Sequence, residues 1–163
     1  MIKQIFEKEF GVFFNLMAEV ECGNHFDYTN EKHREWLKKR ISIYFYRGAK
    51  FFAYYINGET PAGFAAVLLD DGPEGIRCFG QKSELLDIAL LPEFRKKGFG
   101  SELLTFTEEY SRQNGAYCMY VSTYAKDIEV IEFYKRNGFD PVAILPDVHG
   151  PDDEGMAYMR KIL

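Results

Sequence analysis

A basic, glycine-bearing turn near the middle of the chain has the residue types of an anion site. The turn runs from Arg95 to Gly100 with the sequence RKKGFG, between an apolar run that stops at Pro92 and a predicted amphipathic helix. The first N–H groups of a helix have no intrahelical acceptor, and the helix dipole places about half a positive charge there. Glycine also lets an oxyanion approach the backbone closely. The turn is therefore a candidate pyrophosphate site, and the alternative is an ordinary surface turn.

Two other phosphate-binding motifs do not fit this turn. A dinucleotide fingerprint needs a third glycine three positions after Gly100, where the chain has Leu103. A P-loop needs Gly-Lys-Ser or Gly-Lys-Thr, and neither tripeptide occurs in the sequence. The turn therefore belongs to neither of these classes.

A tyrosine is the second candidate for chemistry. Tyr134 lies in a predicted helix, within the sequence IEFYKRNGF at residues 131–139. A free phenol has a pKa of about 10 and a thiol one of about 8.5, so proton transfer from tyrosine to a thiolate is modestly uphill. Tyr134 is therefore a candidate general acid for a leaving thiolate, and the alternative is a side chain that only packs.

Together the two segments resemble the GNAT family of acyl-CoA-dependent N-acyltransferases. The turn matches that family's Arg/Gln-x-x-Gly-x-Gly/Ala pyrophosphate loop, and Phe133-Tyr134 followed by Asn137-Gly138-Phe139 looks like its C-terminal signature. The close match extends from about Glu84 to Phe139, whereas the N-terminal half agrees only in the order of its elements. The resemblance implies an α/β fold with a mixed, mostly antiparallel central sheet, a splayed parallel strand pair and helices on both faces.

The resemblance also implies that acetyl-CoA binds at this splay, between the strands Glu84–Leu91 and Ala116–Ser122. Backbone groups of Ile88, Ala89 and Leu90 would hold the pantetheine arm like an added strand. The pyrophosphate would lie against the loop, whose implied binding residues are Arg95, Lys96, Lys97, Gly98, Phe99, Gly100 and Ser101. No metal is implied.

For catalysis, the resemblance implies direct transfer of an acetyl group to a primary amine in a ternary complex, without a covalent enzyme intermediate. Tyr134 would be the general acid at the CoA sulfur, and Asp127, where the family often has Asn, would belong to the CoA site. A primary ammonium, with a pKa of about 10, must lose a proton before it attacks. Glu84 is the favoured general base, while Asp87, on the other side of the strand by alternation, and water stay open. A non-catalytic acyl-CoA-binding module on the same fold is the alternative function.

Composition bounds the class of protein and its partners. The chain has 163 residues, a length expected for one domain over residues 1–163, and its 47% hydrophobic content predicts a dense core. The net charge of −5 gives no general attraction to nucleic acid or to an anionic membrane. We therefore expect a small-molecule or peptide amine as the partner, with no nucleic acid and no membrane. A homodimer stays open, because dimers are common in the family and no stretch here specifies one.

The cysteines and the N-terminus bear on the cellular compartment. Cys22, Cys78 and Cys118 are odd in number and widely spaced, which favours a reducing compartment over a disulfide framework. The N-terminal sequence MIKQIFEKEF lacks the apolar core of a signal peptide, and the apolar stretches fall well short of the roughly 20 residues of a membrane span. We expect a cytoplasmic protein. The N-terminal helices and the loops around Asp71 and His149 are expected to select the acceptor.

Hydrophobic periodicity predicts the elements that position these residues. A short strand is followed by a helix over residues 9–21, then by a helix that begins within Asp27–Asn30 and turns one side inward. That side carries Trp36, Leu37, Arg40, Ile41 and Tyr44. Two further helices are predicted over 98–114 and from Asp127 to Asn137-Gly138. The remaining predicted strands are Lys50–Ile56, Pro61–Leu69, Glu84–Leu91, Ala116–Ser122, Phe139–Leu145 and Met156–Ile162, with an Asn57-Gly58 hairpin and an acidic loop over Asp70–Gly80.

Overall fold

A computed structural model describes residues 1–22, 26–70, 81–148 and 150–163. Within these residues seven strands form one sheet in the order β1-β2-β3-β4-β5-β7-β6. The strands are β1 Ile2–Ile5, β2 Lys50–Ile56, β3 Thr60–Asp70, β4 Gln81–Leu90, β5 Ala116–Tyr124, β6 Asp140–Leu145 and β7 Met156–Ile162. The α-helices are α1 Phe14–Cys22, α2 Glu31–Tyr46, α3 Phe99–Gln113 and α4 Ile128–Arg136.

The sheet is mixed and mostly antiparallel, as predicted. Strands β4 and β5 pair in parallel, from Gln81 opposite Ala116 to Leu85 opposite Val121. This pairing ends before either strand ends, since β4 continues to Leu90 and β5 to Tyr124. The pairs β1–β2, β2–β3, β5–β7 and β6–β7 are antiparallel.

The chain divides into two compact units, each of which is described by itself. The first unit comprises residues 1–68 and 87–107, and the second comprises residues 69–86 and 108–163. The boundaries cut through β3, β4 and α3, so both units contain part of each of these elements. A single domain over residues 1–163 stays a prediction.

In the first unit, helices cover both faces of β2. Side chains alternate across a strand, so Phe51 and Phe52 point to opposite faces. Phe51 stacks on Phe45 of α2 with ring centroids 4.4 Å apart, and Phe52 contacts Phe106 of α3 at 5.1 Å. The predicted hairpin after β2 is confirmed, because both Asn57 and Gly58 have the positive φ angles that such a turn requires.

In the second unit, α3 presents a polar stripe to the interior. Glu108 and Ser111 are buried, and Glu108 accepts a hydrogen bond from the Lys161 ammonium of β7 at 2.7 Å. The buried apolar residues of this unit include Cys118 and Met119 of β5. A buried charge is tolerated here because it has a partner of opposite sign.

Several predicted boundaries and faces are wrong in detail. Residues 7–13 form a 3₁₀ helix and α1 begins only at Phe14, because apolar residues three apart fit either helix type. Trp36 is 48% exposed, since the buried stripe of α2 consists of Leu37, Ile41 and Tyr44 and a neighbouring residue lies about 100° away around the helix.

Two further corrections concern the bounds of β4 and β3. Strand β4 begins at Gln81 instead of Glu84, because Gln81 and Ser83 are buried although both are polar. Asp70 ends β3 instead of opening a loop, and the rest of the predicted acidic loop, at 71–80, lies outside the described residues.

Candidate functional site

The glycine turn leads directly into α3, as its sequence predicts. Lys96 and Gly98 both have positive φ angles, of 58° and 89°. The Glu102 N–H then donates to the Gly98 carbonyl at 3.1 Å, which is the first turn of α3. The N–H groups of Phe99, Gly100 and Ser101 precede this bond and therefore have no carbonyl of their own helix to reach. These donors begin a helix at an exposed turn, an arrangement that suits a bound anion.

Glycine is required at position 98 by conformation, not by crowding. No atom outside the neighbouring residues lies within 4 Å of the place where a Cβ of Gly98 would be. Its φ of 89° belongs to the left-handed region, which residues with a Cβ adopt only with strain. The space beside the loop is thus open, and the side chains of Arg95, Lys96 and Lys97 around it are exposed.

The Arg95 side chain is bonded within the first unit. Its Nε donates to the Leu90 carbonyl at 2.8 Å, and its guanidinium also donates to the Glu19 carboxylate of α1 at 2.7 Å. Arg95 therefore ties the loop to the end of β4 and to α1. The sequence indicated a basic side chain beside an anion, and it held no signal for these two partners.

The aromatic residue between the two glycines is packed, not exposed. The Phe99 ring lies 5.1 Å from the Tyr54 ring of β2 and 6.5 Å from that of Phe94. Tyr54 is 7% exposed, and its hydroxyl donates to the Glu102 carboxylate at 2.6 Å. Tyr54 and Glu102 were not among the residues predicted from sequence, because a β-rich segment far from the motif has no pattern that points to the loop.

The end of β4 lies close against β3. A Cβ on Gly63 would collide with the Ala89 carbonyl oxygen and with Leu90. The Leu91 N–H donates to the Ala62 carbonyl at 2.8 Å, which fixes the chain just before the turn. Ala89 is buried, and Ile88 and Leu90 are half-buried. The predicted pantetheine-contact segment is therefore a rigid stretch that leads straight into the loop.

The two acidic residues of β4 have different surroundings. Glu84 is exposed and lies opposite Tyr120 of β5 in the register, within the second unit. Asp87 belongs to the first unit, near Tyr44 of α2. Burial, together with the negative charges of Asp87 and Glu21, raises the pKa of Tyr44 well above its usual range. The Tyr44 hydroxyl donates to the Glu21 carboxylate at 2.9 Å, and the same carboxylate pairs with Arg40 at 3.0 Å.

The second unit holds Asp127 and Tyr134. Asp127 is the N-cap of α4, as predicted, and its carboxylate accepts from the Val130 N–H at 3.3 Å. Tyr134 is 4% exposed, with the rings of Phe133 and Phe139 at 5.3 and 5.6 Å. Phe139 reaches this ring because the chain reverses at Gly138, where φ is 88°. Packing against these two rings therefore fixes the position of the Tyr134 ring.

The predicted site residues therefore fall into two groups. The first unit brings together Ile88–Leu90 and Arg95–Ser101, and the second contains Glu84, Asp127 and Tyr134. Across 1–22, 26–70, 81–148 and 150–163, no group of three or more His, Cys, Asp and Glu side chains could hold a metal ion. None of the helices in the described part of the chain has the length and apolar composition to cross a membrane. Asp71 and His149, which were expected to help select an acceptor, lie outside that part.

Residues 12–139 match the Acetyltransferase (GNAT) family. Among curated proteins, the tRNA(Met) cytidine acetyltransferase TmcA 2 of Saccharolobus solfataricus is 42% identical over 62 residues, which is 38% of this chain and 8% of that protein. The uncharacterized N-acetyltransferase YhfO of Bacillus subtilis is 34% identical over 56 residues, which is 34% of this chain and 38% of that protein. The matches thus span well under half the length of either relative.

Solved structures share the fold over nearly the whole chain. A GNAT-family acetyltransferase from Desulfovibrio desulfuricans has a TM-score of 0.74 at 17% identity, covering 99% of this chain and 98% of that one. A Bacillus subtilis acetyltransferase in complex with CoA has a TM-score of 0.73 at 19% identity, covering 99% and 97%. The ribosomal-protein-alanine N-acetyltransferase of Brucella melitensis has a TM-score of 0.70 at 20% identity, covering 100% and 99%. At these identities the likeness establishes the fold alone.

Proposed function

The chain belongs to the GNAT acetyltransferase family, and from this premise we propose that it transfers an acetyl group from acetyl-CoA to a primary amine. The observation that carries the proposal is the turn at Gly98, which leads an exposed, basic loop into the N-terminus of α3. Acetyl-CoA supplies an activated thioester and a diphosphate that needs such a donor-rich site. Transfer occurs directly, in a ternary complex.

The loop and the end of β4 hold the donor. N–H groups from Lys96 to Ser101 bind the diphosphate, with Lys96 and Lys97 adding positive charge. Backbone groups of Ile88 to Leu90 hold the pantetheine arm like an added strand. The fixed backbone of this segment supports these roles, because a donor bound by rigid groups loses less freedom at the reacting atoms.

Two side chains move protons in the proposed reaction. The amine forms a C–N bond to the acetyl carbon as the C–S bond breaks, and Tyr134 protonates the departing thiolate. The nitrogen then gives up its second proton to solvent, and Tyr134 regains a proton from solvent. The proton that the ammonium loses goes to a carboxylate, for which Glu84 is the first candidate because its exposed side chain is accessible to solvent. Asp87 and a water molecule stay as alternative bases. The negative charge of Asp87, which acts on Tyr44, is consistent with a carboxylate that can accept a proton.

The acceptor is an amine on a small molecule or a peptide. Relatives are named for acting on a tRNA cytidine and on a ribosomal-protein alanine, so the family likeness leaves the acceptor open. A cytoplasmic location, a homodimer and the lack of nucleic-acid and membrane partners stay predictions from the sequence.

A test of the function measures CoA thiol released with a panel of polyamines, amino sugars, aminoglycosides and peptides. For the best acceptor, Tyr134→Phe should lower kcat about 100-fold, the usual contribution of a general acid, while CoA affinity stays unchanged. The variant keeps the aromatic packing of this 4% exposed side chain. Tyr117→Phe is the control, since Tyr117 lies at the exposed start of β5 and should leave kcat unchanged. Full turnover by Tyr134→Phe would remove Tyr134 from the mechanism.

A non-catalytic acyl-CoA-binding module is the second candidate. Asp127 favours it, because this acid stands where the family often has an Asn amide. Tight acetyl-CoA binding with no turnover on any amine in the panel would support the module. Failure to bind CoA at all would contradict both candidates and point to another phosphorylated ligand.

A further inference from the structure

A buried tyrosine holds an acid beside the donor loop. The Tyr54 hydroxyl of β2 donates to the Glu102 carboxylate of α3 at 2.6 Å, a length typical of a hydrogen bond to a charged acceptor. Tyr54 is 7% exposed, and its ring contacts Phe99 within the glycine turn. The negative charge of Glu102 in turn raises the pKa of Tyr54, chiefly through this hydrogen bond. The hydrogen bond from β2 therefore fixes the Glu102 side chain in the first turn of α3.

An acid at this place in a helix has another partner available to it. A glutamate in the first turn commonly turns back and accepts a hydrogen bond from an N–H group at the start of the helix, where the dipole also favours its charge. This chain does so elsewhere, since the Phe6 N–H donates to the Glu9 carboxylate at 2.9 Å at the start of the 3₁₀ helix. At α3 the N–H three residues before Glu102 is that of Phe99, so the same movement would place the Glu102 carboxylate on a donor of the glycine turn.

Such a self-capped helix could not bind a diphosphate well. The carboxylate would occupy the donors that the diphosphate needs, and its charge would repel the ligand. We propose that Tyr54 is a positioning residue for the donor: by holding Glu102 against β2, it keeps the N-terminus of α3 available for the diphosphate of CoA. This inference rests on the proposed function, because it assigns a role at the same donor site.

The proposal predicts a specific pattern of affinities, measured by calorimetry with CoA and therefore without knowledge of the acceptor. Tyr54→Phe should weaken CoA binding about fivefold to tenfold, a change in affinity equivalent to one typical hydrogen bond. Glu102→Gln alone should bind CoA at least as tightly as the wild type, because Gln brings no negative charge. In the Tyr54→Phe/Glu102→Gln double variant, affinity should return to within about twofold of the wild type.

Two controls separate this role from a structural one. Pantetheine, which lacks the diphosphate, should bind wild type and Tyr54→Phe equally in a competition assay. Tyr44→Phe removes a similar Tyr–Glu hydrogen bond, to Glu21 at 2.9 Å, and should leave the CoA dissociation constant unchanged. Thermal melting of each variant identifies any loss of folding.

The outcomes are distinct. If Tyr54→Phe binds CoA as the wild type does, or if Glu102→Gln fails to restore the affinity of the Tyr54→Phe variant, the positioning role is wrong. Equal weakening of CoA and pantetheine would also contradict it, because the effect would not act through the diphosphate. A wild-type protein that binds no CoA would overturn the proposed function itself, which none of the variant results does.

Discussion

Single charged residues around the loop are held by partners elsewhere in the same unit. Arg95 is the example: its guanidinium donates to the Leu90 carbonyl and to the Glu19 carboxylate. Neither partner could be predicted from the motif that contains Arg95. The side chains of Arg95 and Glu19 are 46% and 48% exposed, so their ion pair contributes little stability. The bond to the Leu90 carbonyl has a different effect, since it fixes the loop relative to the end of β4.

In the second unit, the pair between Lys161 and Glu108 should be important for stability. Their side chains are 26% and 7% exposed, and 2.7 Å separates the charged atoms. Lys161→Met should lower the free energy of unfolding by about 3 kcal/mol, because it leaves a buried carboxylate without its cation. Urea denaturation followed by circular dichroism measures this change.

A double variant and an exposed pair test that explanation. Lys161→Met combined with Glu108→Gln should recover part of the loss, since no charge is then left buried without a partner. Lys135→Met breaks a pair with Glu132 at a similar distance of 2.9 Å, but those side chains are 45% and 46% exposed. Little change is expected there, and equal losses at both pairs would contradict a role for burial.

At the scale of elements, Asp127 sets the start of α4. Its carboxylate accepts from the Val130 N–H, so Asp127→Ala should lower the free energy of unfolding by about 1 kcal/mol. Asp127→Asn keeps a capping oxygen and should change the free energy of unfolding by only about 0.3 kcal/mol. Chemical denaturation of both variants measures these changes in the free energy of unfolding.

The same pair of variants separates capping from donor binding. Asn also restores the amide that the family often has at this position, so CoA affinity measured on Asp127→Asn reports on a second role. Equal stability of the Ala variant and the wild type would contradict the cap.

The loop and α3 show how an element depends on its neighbours. Gly98 and the basic residues define the turn locally, yet Phe99 is placed by Tyr54 and the strand before the turn is placed by β3 at Gly63. A loop held on both sides would lose little freedom on binding an anion, which is consistent with the diphosphate site proposed above.

At the scale of the whole molecule, several tyrosines predict loss of stability at alkaline pH. Burial and the charges of Asp87 and Glu21 raise the pKa of Tyr44, and the hydrogen bond to Glu102 raises that of Tyr54. A phenol whose pKa is higher in the folded state stabilises that state fully below the unfolded pKa of about 10, and this stabilisation is lost as the pH rises above it.

The free energy of unfolding should therefore fall as the pH rises from about 10 towards the raised values. Tyr44→Phe should reduce the steepness of this fall, because one phenol then no longer ionises beside two carboxylates. Urea denaturation at a series of pH values measures the slope. Tyr46→Phe serves as the control, as Tyr46 is 92% exposed, and an unchanged slope in Tyr44→Phe would contradict the prediction.

Much of the fold follows from local patterns. The hairpin at Asn57-Gly58, the caps at Asn30 and Asp127, and the turn at Gly98 all depend on residues within a few positions of one another. Such short-range rules can be applied to a sequence directly, because φ preferences and capping hydrogen bonds involve adjacent residues. Hydrophobic periodicity also predicted the order of the strands and helices. The family resemblance inferred from the glycine turn and Tyr134 is confirmed.

Which faces are buried was harder to predict. Trp36 was placed inside and is exposed, while the polar Gln81 and Ser83 were left out of β4 and are buried. Burial depends on what packs against an element, and periodicity within one segment holds no information on that neighbour.

The sequence by itself determined the glycine turn before α3 and, together with the segment around Tyr134, the family. Tertiary structure alone decided what holds that turn. Tyr54 and Glu102 are 48 residues apart, and Arg95 and Glu19 are 76 apart. Contacts over such separations form only when the sheet and helices pack. A sequence motif, which depends on residues close together in the chain, therefore cannot predict them.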